Sequence, residues 1–451
     1  MTAKITCYGG AGSVTGANFH FDTGSAKLLI DCGTHERENI CDQENHKPFP
    51  YDVSSVDALI VTHAHQDHIG RIPKLLKEGF KGVIHSTYAT MDISALMFED
   101  ALHVMQEEAD RSGCGVLYEK KDVDAAIACW QGHEYHEPFT LSDTKIEFLD
   151  SGHILGSAMI RCTRNGRTML FTGDLGNSPE PLLNDTESPE GANYILMESV
   201  YGDRVHEQRD ERQDLLRSAI EETRKKGGTL LIPSFSVERT QILLYEMHRL
   251  IKEGKMQPIP VYLDAPLAER ITPIFRKYRA LLNPDAQKGF EHSDIFTFPG
   301  LVEVVTTGFS HAIHAKPDPK VIIAGAGMSS GGRIRAHEKR YLPEAKASIL
   351  FTGYQSPGGL GRRIQEGAKT VRIDNDSVEV RASVASLSGY SGHKDRDGLL
   401  DFVASAGDSL QRVFVTMGEP KAASFLAQRI RDFIGVDAHA PESGEVLQID
   451  W

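Results

Sequence analysis

The stretch VTHAHQDHIG, residues 61–70, packs three histidines and an aspartate, His63, His65, Asp67 and His68, into six consecutive positions. The run before it, Val56-Asp57-Ala58-Leu59-Ile60-Val61, reads as a short buried strand. The run after it, IGRIPKLLKEGF, carries apolar residues at helical intervals and meets a stop at Gly79. The cluster is therefore expected on a strand-to-helix loop, above the edge of a sheet. Imidazoles and a carboxylate at this density form the donor set of a divalent metal rather than a solvated turn.

Composition frames this reading. The chain has 451 residues, 40% hydrophobic and 25% charged, which suits two or three globular domains. The N-terminal MTAKITCYGGAGSVTG lacks an apolar signal core, and no run approaches the length of a membrane span. A soluble cytoplasmic protein with no membrane partner is expected. The six cysteines form no C-x-x-C pair, so reduced and mostly buried thiols are expected. A net charge of −14 argues against coating nucleic acid by bulk electrostatics but leaves room for a local basic channel.

Along the chain, KITCYGG, ANFHFDTG and KLLIDCG read as strands around a glycine-rich corner. Helices are expected near 70–79, 88–110 and 209–226. Beyond Glu198 the pattern becomes strand–helix units: GTLLIPSFS with VERTQILLYEMHRLIKEG, PIPVYLD with APLAERITPIFRKY, then KVIIAGAGMSSGGRIRAHEKRYL and ASILFTGY. Such alternation implies a parallel α/β sheet with its own core. The last 75 residues are read as short strands and loops.

Two later loops supply further ligand types. His153 in SGHILGSA follows KIEFLD, and Asp174 in FTGDLGN follows TMLF. With Asp31 in LLIDCG they complete an ordered series. The chain then reads ESVYGDRVH, IPSFSVERTQ, LDAPLA, GMSSGGR, FTGYQSPGGLGRR and SLSGYSGHKD. On these motifs it resembles the β-CASP branch of the metallo-β-lactamase superfamily, over nearly its whole length. That branch includes the cleavage and polyadenylation specificity factor nucleases and their prokaryotic relatives.

The resemblance implies an α/β fold, an αββα metallo-β-lactamase sandwich formed by residues 1–205 and 376–451. An α/β β-CASP domain, 206–375, would be inserted over the active site. It assigns His63, His65 and His153 to one Zn2+ ion, Asp67 and His68 to a second, and Asp174 to both, with Asp31 orienting the histidine cluster from behind. Asp67, Glu198 and His393 are the residues assigned to catalysis, Glu198 holding His393 protonated so that it can act as an acid. The expected function is a zinc-dependent ribonuclease that hydrolyses RNA phosphodiester bonds with metal-bound hydroxide. Single-stranded RNA is the expected partner. No added RNA-binding module of recognisable type is expected, and homodimerisation stays open.

One motif departs from the family. VFVTMGEP has Met417 where relatives carry a histidine of the second zinc. A thioether is a poor zinc ligand among oxygens and nitrogens, so a weakened second site and a non-catalytic RNA-processing partner both stay open. His35, in DCGTHERE, is the nearest candidate to compensate. A thioesterase- or lactonase-type hydrolase on the same core is a further rival, which the branch motifs oppose. For the substrate backbone, Arg239, Arg333 and Arg362 are the expected contacts, with Arg335, Arg363 and the Gly331-Gly332 amides beside them, and Tyr354 available to stack a base.

Overall fold

The structure, a computed structural model, describes residues 2–35, 42–206, 211–356 and 358–451. The chain divides into two compact units, one made of residues 1–205 and 393–451, the other of 206–392.

The first unit holds two seven-stranded sheets. One runs in the order 446–450, 2–9, 18–22, 27–30, 58–60, 83–87, 130–133, and the other 437–439, 412–415, 194–197, 167–171, 158–164, 144–150, 139–141. Alternation along the strands turns one face of each inward. Ile5, Phe21, Leu28 and Ile60 of the first sheet pack in one apolar layer with Ile146, Phe148, Ile160 and Phe171 of the second. The helix Tyr88–Ser112 covers the outer side of the first sheet at strands Val83–Thr87 and Trp130–His133. The helices Arg396–Ala404 and Pro420–Arg429 cover the second, where Leu399, Phe402 and Leu426 meet Leu170, Ile195 and Val413. The result is an αββα sandwich. These two helices correct the expectation of strands and loops at the C-terminal end. Leu399, Phe402, Val403 and Ala406 recur at spacings of three and four, but over so short a run that the helical period is weak.

The second unit is built on a six-stranded parallel sheet ordered 301–303, 261–264, 320–324, 229–233, 348–351, 383–386, with a separate hairpin 370–373/376–379. The helices Arg212–Lys226, Arg239–Lys252, Pro266–Lys277 and Ile334–Tyr341 alternate with its strands. Residues 209 and 210 of the helix expected over 209–226 lie outside the described residues. The return to the first unit falls at 392/393 rather than at 375/376. The reason is pairing: Ser383–Ser386 adds to Ser348–Phe351 as a parallel edge strand, keeping the intervening residues with the second unit.

Cys7, Cys32, Cys129 and Cys162 are free. Cys114 is disulfide-bonded, against the expectation of six reduced thiols, and Cys41 lies outside the described residues.

Candidate active site

Three loops at strand ends of the first unit converge. His63 and His65 follow the strand Ala58–Ile60, and Asp67 and His68 lie on the short helix Gln66–Ile69. His153 follows Thr144–Asp150, and Asp174 follows Arg167–Phe171. The ligand atoms of His63, His65, His153 and Asp174 lie within 4.8 Å of one another. His65 Nδ1 is 3.1 Å from His63 Nε2 and 3.2 Å from His153 Nε2. Asp174 Oδ2 is 3.4 Å from His63 Nε2 and 3.5 Å from His153 Nε2. Donors about 2.0–2.1 Å from the centre of a tetrahedron stand about 3.3–3.4 Å apart along its edges. Four of the six separations among these atoms thus match the spacing of donors around one divalent ion.

Unpaired polar atoms give an independent test of fit. His68 Nε2 and Asp174 Oδ1 are buried, make no hydrogen bond, and face each other at 3.4 Å. Burying a donor or acceptor without a partner costs about 1–3 kcal/mol. A cation held between them removes that cost. Burial also pushes the His63 and His65 imidazoles well below their usual pKa, the neutral form that ligates. Asp174 is held well below the carboxylate range, because His68 and His63 outweigh its burial. The donor set fits a divalent ion.

The second position is less complete. His68 Nε2 stands 3.8 Å from Asp67 Oδ2, and burial pushes the Asp67 carboxyl up to about 6 despite His68. Met417 is buried with φ +44°, and its N–H donates to Gly10 O at 2.6 Å. Its side chain belongs to the apolar layer with Phe19, Ile30 and Phe171, and shares with His68 the lining of a cavity. A Cβ on Gly10, itself at φ +75°, would come 2.5 Å from Met417 Sδ, so glycine there makes room for the thioether. His35 packs its ring on Gly16, and its backbone is tied to the Asn45 amide. It is absent from the ligand groups that converge among the described residues.

Asp31 sits behind the cluster at φ +58°. Its Oδ1 accepts from the Thr62 amide at 2.8 Å, and its Oδ2 pairs with His68 Nδ1 at 2.7 Å. Thr62 Oγ1 donates to the same Oδ2 at 2.7 Å and lies 3.0 Å from His63 Nδ1. Sequence reasoning missed Thr62, although it directly precedes the histidine cluster. A hydroxyl on the residue before the first ligand was the available signal.

Glu198 ends the strand Tyr194–Met197 and is almost fully buried. Its Oε1 accepts from the Leu175 amide at 2.7 Å and stands 3.1 Å from His393 Nδ1. His393 is 23% exposed and lies 3.9 Å from Asp174 Oδ2. Burial works against its protonation, but the charge and hydrogen bond of Glu198, with Asp174 and Asp67, raise its pKa to about 9. A protonated imidazole therefore stands beside the ligand cluster, with its carboxylate partner fixed by a backbone amide.

The arginines of the second unit are mostly engaged within it. Arg333 Nη1 is 2.6 Å from Asp264 Oδ1 and donates to Val304 O at 2.7 Å. Asp264 is fully buried, which explains why this guanidinium turns inward rather than to a phosphate. Arg239 is buried, with its guanidinium 5.7 Å from the centre of the Tyr390 ring. Arg335 pairs with Asp374 at 2.9 Å. The close approach allowed by Gly332 serves the chain itself, since Gly325 O accepts the Ile334 amide. Arg362 is more open and pairs with Glu366 one helical turn on at 2.7 Å, and Arg363 is exposed.

Comparison with known proteins agrees with this architecture. A Beta-Casp domain family matches residues 240–364, and a family described as Zn-dependent metallo-hydrolase RNA specificity domain matches 377–441. The Anti-Pycsar protein Apyc1 family matches residues 5–223. The chain is 37% identical to ribonuclease TTHA0252 of Thermus thermophilus over 89% of its own length and 90% of that protein. It is 31% identical to transcription termination factor FttA of Methanococcus maripaludis, over 99% of this chain and 72% of that one. A crystal structure of an Enterococcus faecalis protein of unknown function matches the fold end to end, with a TM-score of 0.56 at 12% identity.

Proposed function

Because the chain belongs to the β-CASP branch of the metallo-β-lactamase superfamily, a family of metal-dependent hydrolases, we propose that it is a zinc-dependent ribonuclease cleaving phosphodiester bonds of single-stranded RNA. The observation that carries this reading is the pairing of two features: the converging set His63, His65, His153 and Asp174, and the Glu198–His393 pair beside it. A hydrolase of this kind needs both a place for the cation and a proton for the leaving oxygen. The ribonuclease name of the Thermus thermophilus relative supports RNA as the substrate.

His63, His65, His153 and Asp174 would hold one ion, with Asp67, His68 and the other oxygen of Asp174 holding a second. Two divalent ions, when bound, acidify a water and polarise the phosphoryl oxygen it attacks. The remaining work falls to the chain. His393 directs Nδ1 at Glu198, which leaves the Nε2 proton for the departing oxygen. Glu198, pinned by the Leu175 amide, fixes the ring plane and keeps it charged. Among the arginines assigned to the substrate backbone, Arg362 and Arg363 are the most open, and no helix among the described residues is long and apolar enough to cross a membrane.

The test is incubation of labelled single-stranded RNA with the protein supplied with zinc or manganese, against an Asp174→Asn variant. Cleavage by the unmodified protein alone supports the reading. One observation favours a second reading, a non-catalytic RNA-processing partner: Met417 is folded into the apolar layer where relatives place a ligand. RNA bound but left intact with both metals supplied decides for it.

A further inference from the structure

We infer that Thr62 is a positioning residue that ties one histidine of each metal position to a single carboxylate, Asp31, and so sets the tautomer in which both present Nε2 to metal. The inference rests on reading the site as a metal centre. The hydroxyl of Thr62 has one proton and gives it to Asp31 Oδ2 at 2.7 Å. With that proton committed, its oxygen accepts from His63 Nδ1–H at 3.0 Å. His68 Nδ1–H goes to the same Asp31 oxygen directly, at 2.7 Å. Both histidines thereby hold a proton on Nδ1, so in the neutral rings the Nε2 nitrogens are free to ligate. Those are the atoms that face Asp174, His63 Nε2 toward Oδ2 and His68 Nε2 toward Oδ1, each at 3.4 Å.

The surroundings allow this hydroxyl little freedom. Thr62 is 1% exposed, its amide donates to Asp31 Oδ1 at 2.8 Å, and its carbonyl accepts from the Ala158 amide at 2.8 Å. Gly173, one residue before Asp174, has φ +53°, and a Cβ there would come 2.6 Å from Thr62 Cβ. Glycine next to Asp174 therefore leaves the space that the Thr62 side chain fills, so any larger residue at 173 would push this threonine out of place. Outer partners of this kind typically change metal affinity by about 10–100-fold when removed.

The experiment compares zinc affinity, by competition with a chromophoric chelator, for the unmodified protein, Thr62→Val and Thr62→Ser. Valine keeps the shape and removes the bridge; serine keeps the bridge and removes a methyl group. Thr62→Val is expected to bind the tighter ion about 10–100-fold more weakly, and Thr62→Ser to stay within about three-fold of the unmodified protein. Imidazole nitrogen NMR on the metal-free protein supplies a second readout: the His63 proton resides on Nδ1 in the unmodified chain and in Thr62→Ser. Unchanged affinity in Thr62→Val overturns the inference, as does an equal loss in both variants, which would mean packing alone. An unmodified protein that takes up no zinc instead removes the metal reading on which it rests.

Discussion

Glu198 Oε1 stands 3.1 Å from His393 Nδ1 across 195 residues of sequence, one partner almost fully buried and the other 23% exposed. The carboxylate cannot drift, since its Oε1 also accepts the Leu175 amide. The imidazole keeps a side open. A rigid acid behind a partly open histidine is the arrangement of a proton donor rather than of a core pair.

His393→Ala should therefore slow RNA cleavage by about 10²–10⁴-fold, the range for a general acid, with zinc content nearly unchanged. Glu198→Gln should cost less in the same direction. Because Glu198 raises the His393 pKa, its loss lowers that pKa and moves the alkaline limb of the pH–rate profile to lower pH. Cleavage rates across pH, with elemental analysis of each variant, check both points. Unchanged cleavage by His393→Ala with its metals bound would falsify the assignment.

The purified protein should hold fewer than two zinc ions after dialysis against a mild chelator, because one set has four converging donors while the other has Met417 where the family resemblance implies a histidine. Met417→His should tighten the second ion and speed cleavage at low zinc. Without metal the same change should cost about 1–3 kcal/mol, since it puts an unpaired imidazole into an apolar layer. Metal titration and unfolding with and without zinc separate the two effects. No gain in metal affinity means that the backbone at this position, with φ +44°, does not present the ring to the site.

What the sequence revealed depended on how local the information was. His63, His65, Asp67 and His68 lie within one loop and one helical turn, so their spacing announced them. His153 and Asp174 gained weight only beside that cluster, and the Glu198–His393 pair was reachable only through family resemblance, because no local pattern links residues so far apart. Arg333 was read as a phosphate contact because its partner, Asp264, lies 69 residues earlier in LDAPLA and reads there as a strand end. The C-terminal helices were missed because each spans only nine or ten residues, too few for a firm period.

Arg333 and Arg362 should now behave differently. Arg333→Ala leaves the buried Asp264 with His337 and Ser310 but without its guanidinium, and should destabilise the second unit by about 1–3 kcal/mol. Arg362→Ala breaks only an exposed pair and should change stability by less than about 1 kcal/mol. If Arg362 meets a phosphate, its loss should weaken RNA binding and lower the salt slope by about one. Thermal unfolding and binding at several salt concentrations report these effects. An Arg362→Ala variant with an unaltered salt slope removes it from the RNA contact.

Glu338 carries the pH prediction for stability. It lies on the helix Ile334–Tyr341, fully buried, with Oε1 accepting from Ser329 Oγ at 2.5 Å and Oε2 without a partner. Burial pushes its carboxyl up from 4.5 to about 8, the Ser329 hydrogen bond working the other way. The folded protein thus binds this proton more tightly than the unfolded chain does. Its contribution to stability is complete below about pH 4.5 and is lost as pH rises through about 8. Glu338→Gln keeps an acceptor for Ser329 and removes the ionisation, so its benefit relative to the parent should grow between those limits and level off above them. By pH 8 the gain should reach at least about 1 kcal/mol, or about 2–4 °C in the melting temperature of a unit this size. Melting curves at pH 5, 6.5 and 8 measure it. A difference between the two proteins that stays constant over that range would show that Glu338 is ionised while buried, with a counter-charge the folded chain must then supply.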